Sequence, residues 1–227
     1  MRSLVIFLCL FPAALWAQTG PATITVTGEG QVAAAPDMAM ISVGVTSQAA
    51  TASAALLETS TATARVLGRL KAAGIEARDL QTQGLSLSPM WQQRNDQINA
   101  PKISGYVASN TIRVRQRELS KLGDTLDSTV GQGANQFNGL SFGLQDPRPT
   151  TDAARREAVK DALSRANLYA AAAGVELGQI LSISEPSNNA VPEMALARFA
   201  ASDGVPIAEG ELMVTASVTI VFAISQK

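Results

Sequence analysis

Two spacings of apolar residues alternate along this chain, one of period two and one of period three to four, and their order outlines a fold. From Thr23 to Thr27 apolar and polar positions alternate strictly and run into Gly28-Glu29-Gly30, which predicts a strand closed by a tight turn. Met38 to Ser47 alternates again, with Ile41, Val43 and Val45 on one face and Met38 and Met40 on the other. Ala49 to Ala73 changes to helical spacing, with Leu56, Thr63, Val66, Leu67 and Leu70 as its stripe and Gly74 at the place of a C-terminal cap. Leu80 to Ser88 predicts a strand whose apolar face switches near Gly84, the mark of a bulge. Pro89 to Pro101 is polar apart from Trp91 and reads as an extended hairpin loop, before a long strand from Ser104 to Arg117. Leu119, Leu122, Leu126 and Val130 keep helical spacing up to Gly131 and Gly133, and Phe137 to Gln145 alternates through Leu140, Phe142 and Leu144.

Residues 36–147 thus read strand, helix, strand, strand, helix, strand, the order of a ferredoxin-like βαββαβ sandwich. Asp146-Pro147-Arg148-Pro149 then punctuates the chain. A helix from Thr151 to Ala173 follows, with Val159, Ala162, Leu163, Ala166 and Ala170 on one side and the i,i+4 pairs Asp152–Arg156 and Asp161–Arg165 on the other. Gly174 stops it, and Ile180 to Ser184 is a short strand. Residues 185–210 are irregular, with a helical-looking patch from Glu193 to Ala201, and Val214 to Ile224 is a long alternating strand. The expected class is α+β: the 36–147 module, plus a second small α/β layer formed from both chain ends, 21–35 with 148–227.

The N-terminus changes the setting. Arg2 precedes the apolar run Leu4–Leu15, and Ala17 offers a small residue before the polar Gln18-Thr19-Gly20. That order is a secretory signal peptide over residues 1–17, in a run too short for a spanning helix of roughly 20 residues. The mature chain is therefore expected in the periplasm, without a transmembrane span. It would contain neither histidine nor cysteine, since the sequence has no His and its single Cys, Cys9, lies in the leader. Without Arg2, 17 basic residues face 19 acidic ones, a net charge of −2, which supplies no basic field for nucleic acid.

Those absences exclude whole chemistries. There is no imidazole base, no thiolate nucleophile, no disulfide and no ordinary zinc or haem ligand set. The Gly28-Glu29-Gly30 stretch lacks the third, helix-opening glycine of a dinucleotide fingerprint. Glu157 and Asp161 sit among Arg155, Arg156, Lys160 and Arg165, which lower carboxylate pKa values, so this reads as a solvated helix face rather than a general acid. No calcium-loop spacing occurs either. No catalytic, metal or cofactor-binding residues are assigned, and the chain reads as no enzyme. The most suggestive group is Arg113, Arg115 and Arg117, whose period-two spacing places three guanidinium groups on one strand face, as an interface or anion-binding site or as a plain wet sheet face. Met38 and Met40 offer a second possibility, a reversible oxidant sink, against simple gap-filling.

Several short blocks also occur in a distinctive order: Ile24–Gly30, Pro36-Asp37, Ile103–Asn110, Gly133-Ala134-Asn135-Gln136, Asp146-Pro147, Ala153-Ala154-Arg155 and Ala172–Gly178. Together they resemble the SIMPL-domain family of exported bacterial proteins over nearly the whole mature chain. The resemblance implies a periplasmic or envelope-associated protein of two-part α/β fold, in a family linked to oxidative-stress protection and antigenicity and thought in part to self-assemble. It carries over no catalytic residues. The expectation is a non-enzymatic envelope protein acting as a self-assembling or binding surface, as a homo-oligomer or with an envelope protein partner. The alternative is a monomeric stress-protective ligand binder or methionine-based oxidant sink.

Overall fold

A computed structural model of the chain describes residues 22–92, 102–131, 133–186, 193–195 and 207–226. The expected leader and most of the 186–210 segment lie outside the described residues. The fold is mixed α and β, with two antiparallel sheets and three helices among the described residues. Among the described residues, internal contacts define two compact units, one within 30–157 and 193–216 and the other within 22–29, 158–186 and 217–226.

The larger unit is built on β2 (Met38–Ala49), β3 (Leu80–Trp91), β4 (Ile103–Gln116) and β5 (Gln136–Gly143), hydrogen-bonded in the order β3-β4-β2-β5. Antiparallel register sets Val43 opposite Ile112 and Ile41 between Val114 and Leu140. Because side chains alternate across a strand, Ala39, Ile41, Val43 and Val45 all point to one face, where they are buried with Ile112 and Val114. That face is covered by α1 (Ala52–Ala72) and α2 (Leu122–Val130), through Val66, Leu70, Leu122 and Leu126.

Helix α1 begins at Thr51, whose hydroxyl accepts from the Ala54 amide at 3.2 Å, and ends before Gly74, which takes φ +93°. Its inward stripe differs from the expected one. Ala55, Thr59, Ala62, Thr63, Val66 and Leu70 are buried, whereas Leu56 and Leu67 are only half-buried. Small residues in the first turns let the helix approach the sheet closely enough for the Thr59 hydroxyl to donate to the Ala108 carbonyl at 3.2 Å.

The bulge expected near Gly84 is present, with Gln83 the extra residue between the Thr82–Ile112 and Gly84–Thr111 pairs. The hairpin loop is shorter than expected. β3 continues through Pro89 and Met90 to Trp91, paired with Ile103–Tyr106 of β4. Proline is tolerated there because β3 is an outer strand of its sheet and needs no hydrogen bond on its open side.

The second sheet holds β1 (Thr23–Ala34), β8 (Glu211–Gln226) and β6 (Val175–Ser184) in the order β1-β8-β6, with the three-residue β7 (Glu193–Ala195) also paired to β8. The helical patch expected from Glu193 is thus a strand at its start, where pairing of Glu193–Ala195 with Glu211–Met213 overrides local spacing; residues 196–201 lie outside the described set. β6 begins directly after Gly174, five residues before the expected start at Ile180, and is irregular in register around that residue.

Within the smaller unit two expectations are corrected. Gly28-Glu29-Gly30 is no turn, for β1 runs straight through it. A Cβ at Gly28 would overlap the Ala158 carbonyl oxygen and the Ala162 amide of α3 (Arg148–Ala173), so the glycine admits a helix backbone rather than bending a strand. The buried row of α3 is correspondingly made of alanines four apart, Ala158, Ala162, Ala166 and Ala170, while Val159 is half-buried and Leu163 exposed. Close backbone contact selects the smallest side chains.

Candidate site on the helix-free sheet face

The residues of β2 and β4 that alternate with the core face outward: Met38, Met40 and Ser42 on one strand, Arg113 and Arg115 on the other. Arg113 lies opposite Ser42 and Arg115 opposite Met40, while Arg117 follows the end of β4. The three arginines share a direction, as their spacing predicts, but not an environment.

Arg117 grips Asp79 with two parallel bonds, Nε to Oδ2 at 2.7 Å and Nη2 to Oδ1 at 2.8 Å. Asp79 closes a short 3-10 turn, Ala77–Asp79, ahead of β3 and is only 6 % exposed. The Arg117 hydrogen bond, followed by the charges of Arg117, Arg115 and Arg78, holds the Asp79 carboxyl below the usual carboxylate range against the opposing effect of burial. Arg117 also donates to Gln145 Oε1 at 3.2 Å, and Gln145 in turn bonds Asp37 twice, through its backbone amide at 2.6 Å and its Nε2 at 2.9 Å. This network ties together the start of β2, the end of β4 and the segment after β5. Arg115 stands 3.8 Å from the same Asp79 oxygen that Arg117 Nη2 holds. Two of the three arginines are therefore committed to one buried carboxylate.

Arg113 is different. It makes no ion pair among the described residues, and its neighbour is the bulged Gln83. With the amide oxygen turned toward the guanidinium, Gln83 accepts from Arg113 Nε at 3.1 Å and from Nη2, and its amide nitrogen lies 3.4 Å from Ser42 Oγ. Beside this group is an open depression of about 230 Å³, lined by Met40, Ser42, Gln83, Arg113, Asn138 and Ser141.

Met38 and Met90 act as fillers. Met38 is paired with Gly143 and Met90 with Gly105, and in each case the methionine Cε occupies the space a glycine Cβ would need. Met38 and Met40 are half-buried, on the face opposite the core, as the alternation predicts.

The α3 carboxylate expected on a solvated face has a defined task. Asp161 Oδ2 accepts the Glu29 amide at 2.9 Å and pairs with Arg165 Nε at 2.9 Å, while Arg165 Nη1 donates to the Thr27 carbonyl at 3.1 Å. Its carboxyl lies below the usual range, first because of the Glu29 amide and then because of Arg165. The other expected pair shifts by one residue, for Asp152 bonds Arg155 at 3.0 Å. Asp79, Gln145, Gln83 and Asn138 were not singled out from sequence; only Gln83 carried a signal, through its place beside the bulge glycine. No cluster of three His, Cys, Asp or Glu side chains suited to a metal occurs among the described residues, and no described helix is long and apolar enough to cross a membrane.

Sequence kinship supplies the class. Residues 24–222 match the SIMPL family, described as a protein of unknown function (DUF541), and the chain belongs to that family. It is 41 % identical over 216 residues to the 26 kDa periplasmic immunogenic protein of Brucella melitensis, covering 91 % of this chain and 86 % of the relative. It is 30 % identical over 183 residues to the uncharacterized protein YggE of Edwardsiella ictaluri (81 % and 75 % covered), and 27 % identical over 192 residues to YggE of Escherichia coli K12 (85 % and 76 % covered).

Proposed function

We propose that this chain is a non-enzymatic periplasmic protein of the cell envelope that works as a self-assembling or binding surface built on the β3-β4-β2-β5 sheet. The periplasmic location is supported by the name of the Brucella relative. In chain order within the module this sheet runs second, third, first, fourth, with α1 and α2 associated, and we read it as a ferredoxin-like sandwich.

The observation that carries the proposal is the outer strand β3. Ten of its twelve residues are exposed, including Leu85 (58 % exposed), Leu87 (43 %) and Trp91 (57 %). A long outer strand with unpaired backbone groups and apolar side chains is a template for pairing, and soluble proteins ordinarily blunt it. A second copy of the chain offers the same strand and can pair with it about a two-fold axis. The arginine-bearing β4 has a neighbour on both sides, so it can offer its face to a partner but no free edge.

A role in oxidative-stress defence would follow from such an assembly; the alternative, a methionine sink, would rest on the half-buried Met38 and Met40. Light scattering on the eluting protein tests the proposal. A discrete oligomer whose mass falls in the Leu85→Lys/Leu87→Lys variant is expected; a monomer at all concentrations overturns self-assembly through β3.

A further inference from the structure

We infer that the face of this sheet opposite α1 and α2 holds a binding site for a small polar carboxylate, centred on Arg113; the inference deepens the reading of this sheet as the working surface and rests on it. Three features converge. The first is register. β3 bulges at Gln83, opposite the Thr111–Ile112 step of β4, and β5 bulges at Asn138, opposite the Ser42–Val43 step of β2. Since Ser42 pairs with Arg113, Val43 with Ile112 and Gly44 with Thr111, the two bulges lie one residue apart in register, one on each outer strand. A bulge re-aims the side chain it inserts, and bulges gather beside functional sites for that reason. Here both inserted residues, Gln83 and Asn138, line the one depression.

The second feature is space. Gly139 stands opposite Ser42 with φ +143°, a conformation that favours glycine, and a Cβ there would meet nothing within 4 Å. The missing side chain leaves the sheet face open beside Ser42, and the depression of about 230 Å³ is below the usual range for drug-sized ligands. It suits a molecule the size of a hydroxy acid or an amino acid.

The third feature is charge. Arg117 holds Asp79 in a bidentate pair, and Arg115 lies 3.8 Å from the same carboxylate, so both are drawn to a charge within the protein. Among the described residues Arg113 is answered only by a neutral amide, and Gln83 takes up Nε and Nη2, which orients the guanidinium and leaves Nη1 for a partner. A lone guanidinium of this kind calls for a monoanion, and a carboxylate fits its planar donors. The Ser42 and Ser141 hydroxyls and the Asn138 amide can both donate and accept, which suits a ligand carrying a hydroxyl or amino group near its carboxylate, while Met40 supplies an apolar wall.

Calorimetric titration of the mature protein with lactate, glutamate, acetate, lactamide and inorganic phosphate tests the assignment. Lactate or glutamate should bind, acetate more weakly, and lactamide not at all. Arg113→Gln and Asn138→Ala, both at exposed positions, should each keep the thermal midpoint, and Arg113→Gln should weaken carboxylate binding at least about tenfold, the loss of one charge-assisted pair. Equal binding of lactamide, equal binding by Arg113→Gln, or no binding of any carboxylate overturns the site; binding of phosphate alone overturns the ligand class. The mass of each variant is read by light scattering in the same samples. An oligomer that persists while carboxylates fail to bind sinks this inference and leaves the assembly reading intact, whereas a monomer that binds lactate does the reverse.

Discussion

Helices α1 and α3 solve the same problem by opposite means. In the larger unit α1 reaches its sheet through side chains, Val66 and Leu70 filling the space over Ile41 and Ile112. In the smaller unit α3 meets β1 almost backbone to backbone, with alanines on the helix and Gly28 on the strand. Volume holds the first contact together, and the second depends on its absence. Hydrophobic periodicity found part of each row, Thr63, Val66 and Leu70 on α1 and Ala162, Ala166 and Ala170 on α3, and in each it also drew in larger neighbours that are not buried, Leu56 and Leu67 on the first and Val159 and Leu163 on the second.

Substitution should separate the two regimes. Gly28→Val is expected to have the largest effect, about 3 kcal/mol or more, because the atoms it strikes are helix backbone and cannot rotate away. Leu70→Ala should cost about 3 kcal/mol by leaving a hole in the α1 contact. Urea midpoints measure both. If Gly28→Ala and Gly28→Val proved equally mild, backbone proximity would not be what places α3. The smallest effect expected is one of pH. The Asp79 carboxyl is held below its unfolded value of about 3.8, so its contribution is complete at neutral pH and is lost as pH falls through the lower, folded value. The acid limb of a stability profile below about pH 4 should therefore be shallower in Arg117→Gln. An unchanged limb would mean that the Arg117 grip on Asp79 does not bias folding.

Much of the larger unit was legible because its signals are local. Alternation put Met38 and Met40 opposite the core, the face switch at Gly84 marked the β3 bulge, and Gly74 marked the end of α1. The divided fate of the arginines was not legible, since Asp79 lies 38 residues before Arg117 and only β3–β4 pairing brings them together. Gly28 misled for a different reason: a glycine within an alternating run looks the same whether the chain turns there or a helix presses on it.

The blocks that carried the family resemblance also become intelligible as structure. Asp37 accepts the Gln145 amide just before Asp146-Pro147, and Asn135 both accepts from the Thr46 amide at 2.8 Å and donates to the Thr46 carbonyl at 2.7 Å, as a paired strand would. These residues close strand ends.

The alanine row of α3 has a mechanical consequence. Side chains that interlock act as teeth and stop one element from sliding along another; a track of methyl groups against glycine has no teeth. What then indexes the helix along β1 is a pair of pins, Asp161 on the Glu29 amide and Arg165 on the Thr27 carbonyl, set one helical turn apart and tied to each other. Those pins also occupy a backbone donor and acceptor of β1, so the latch that fixes the helix is at the same time a guard on the strand.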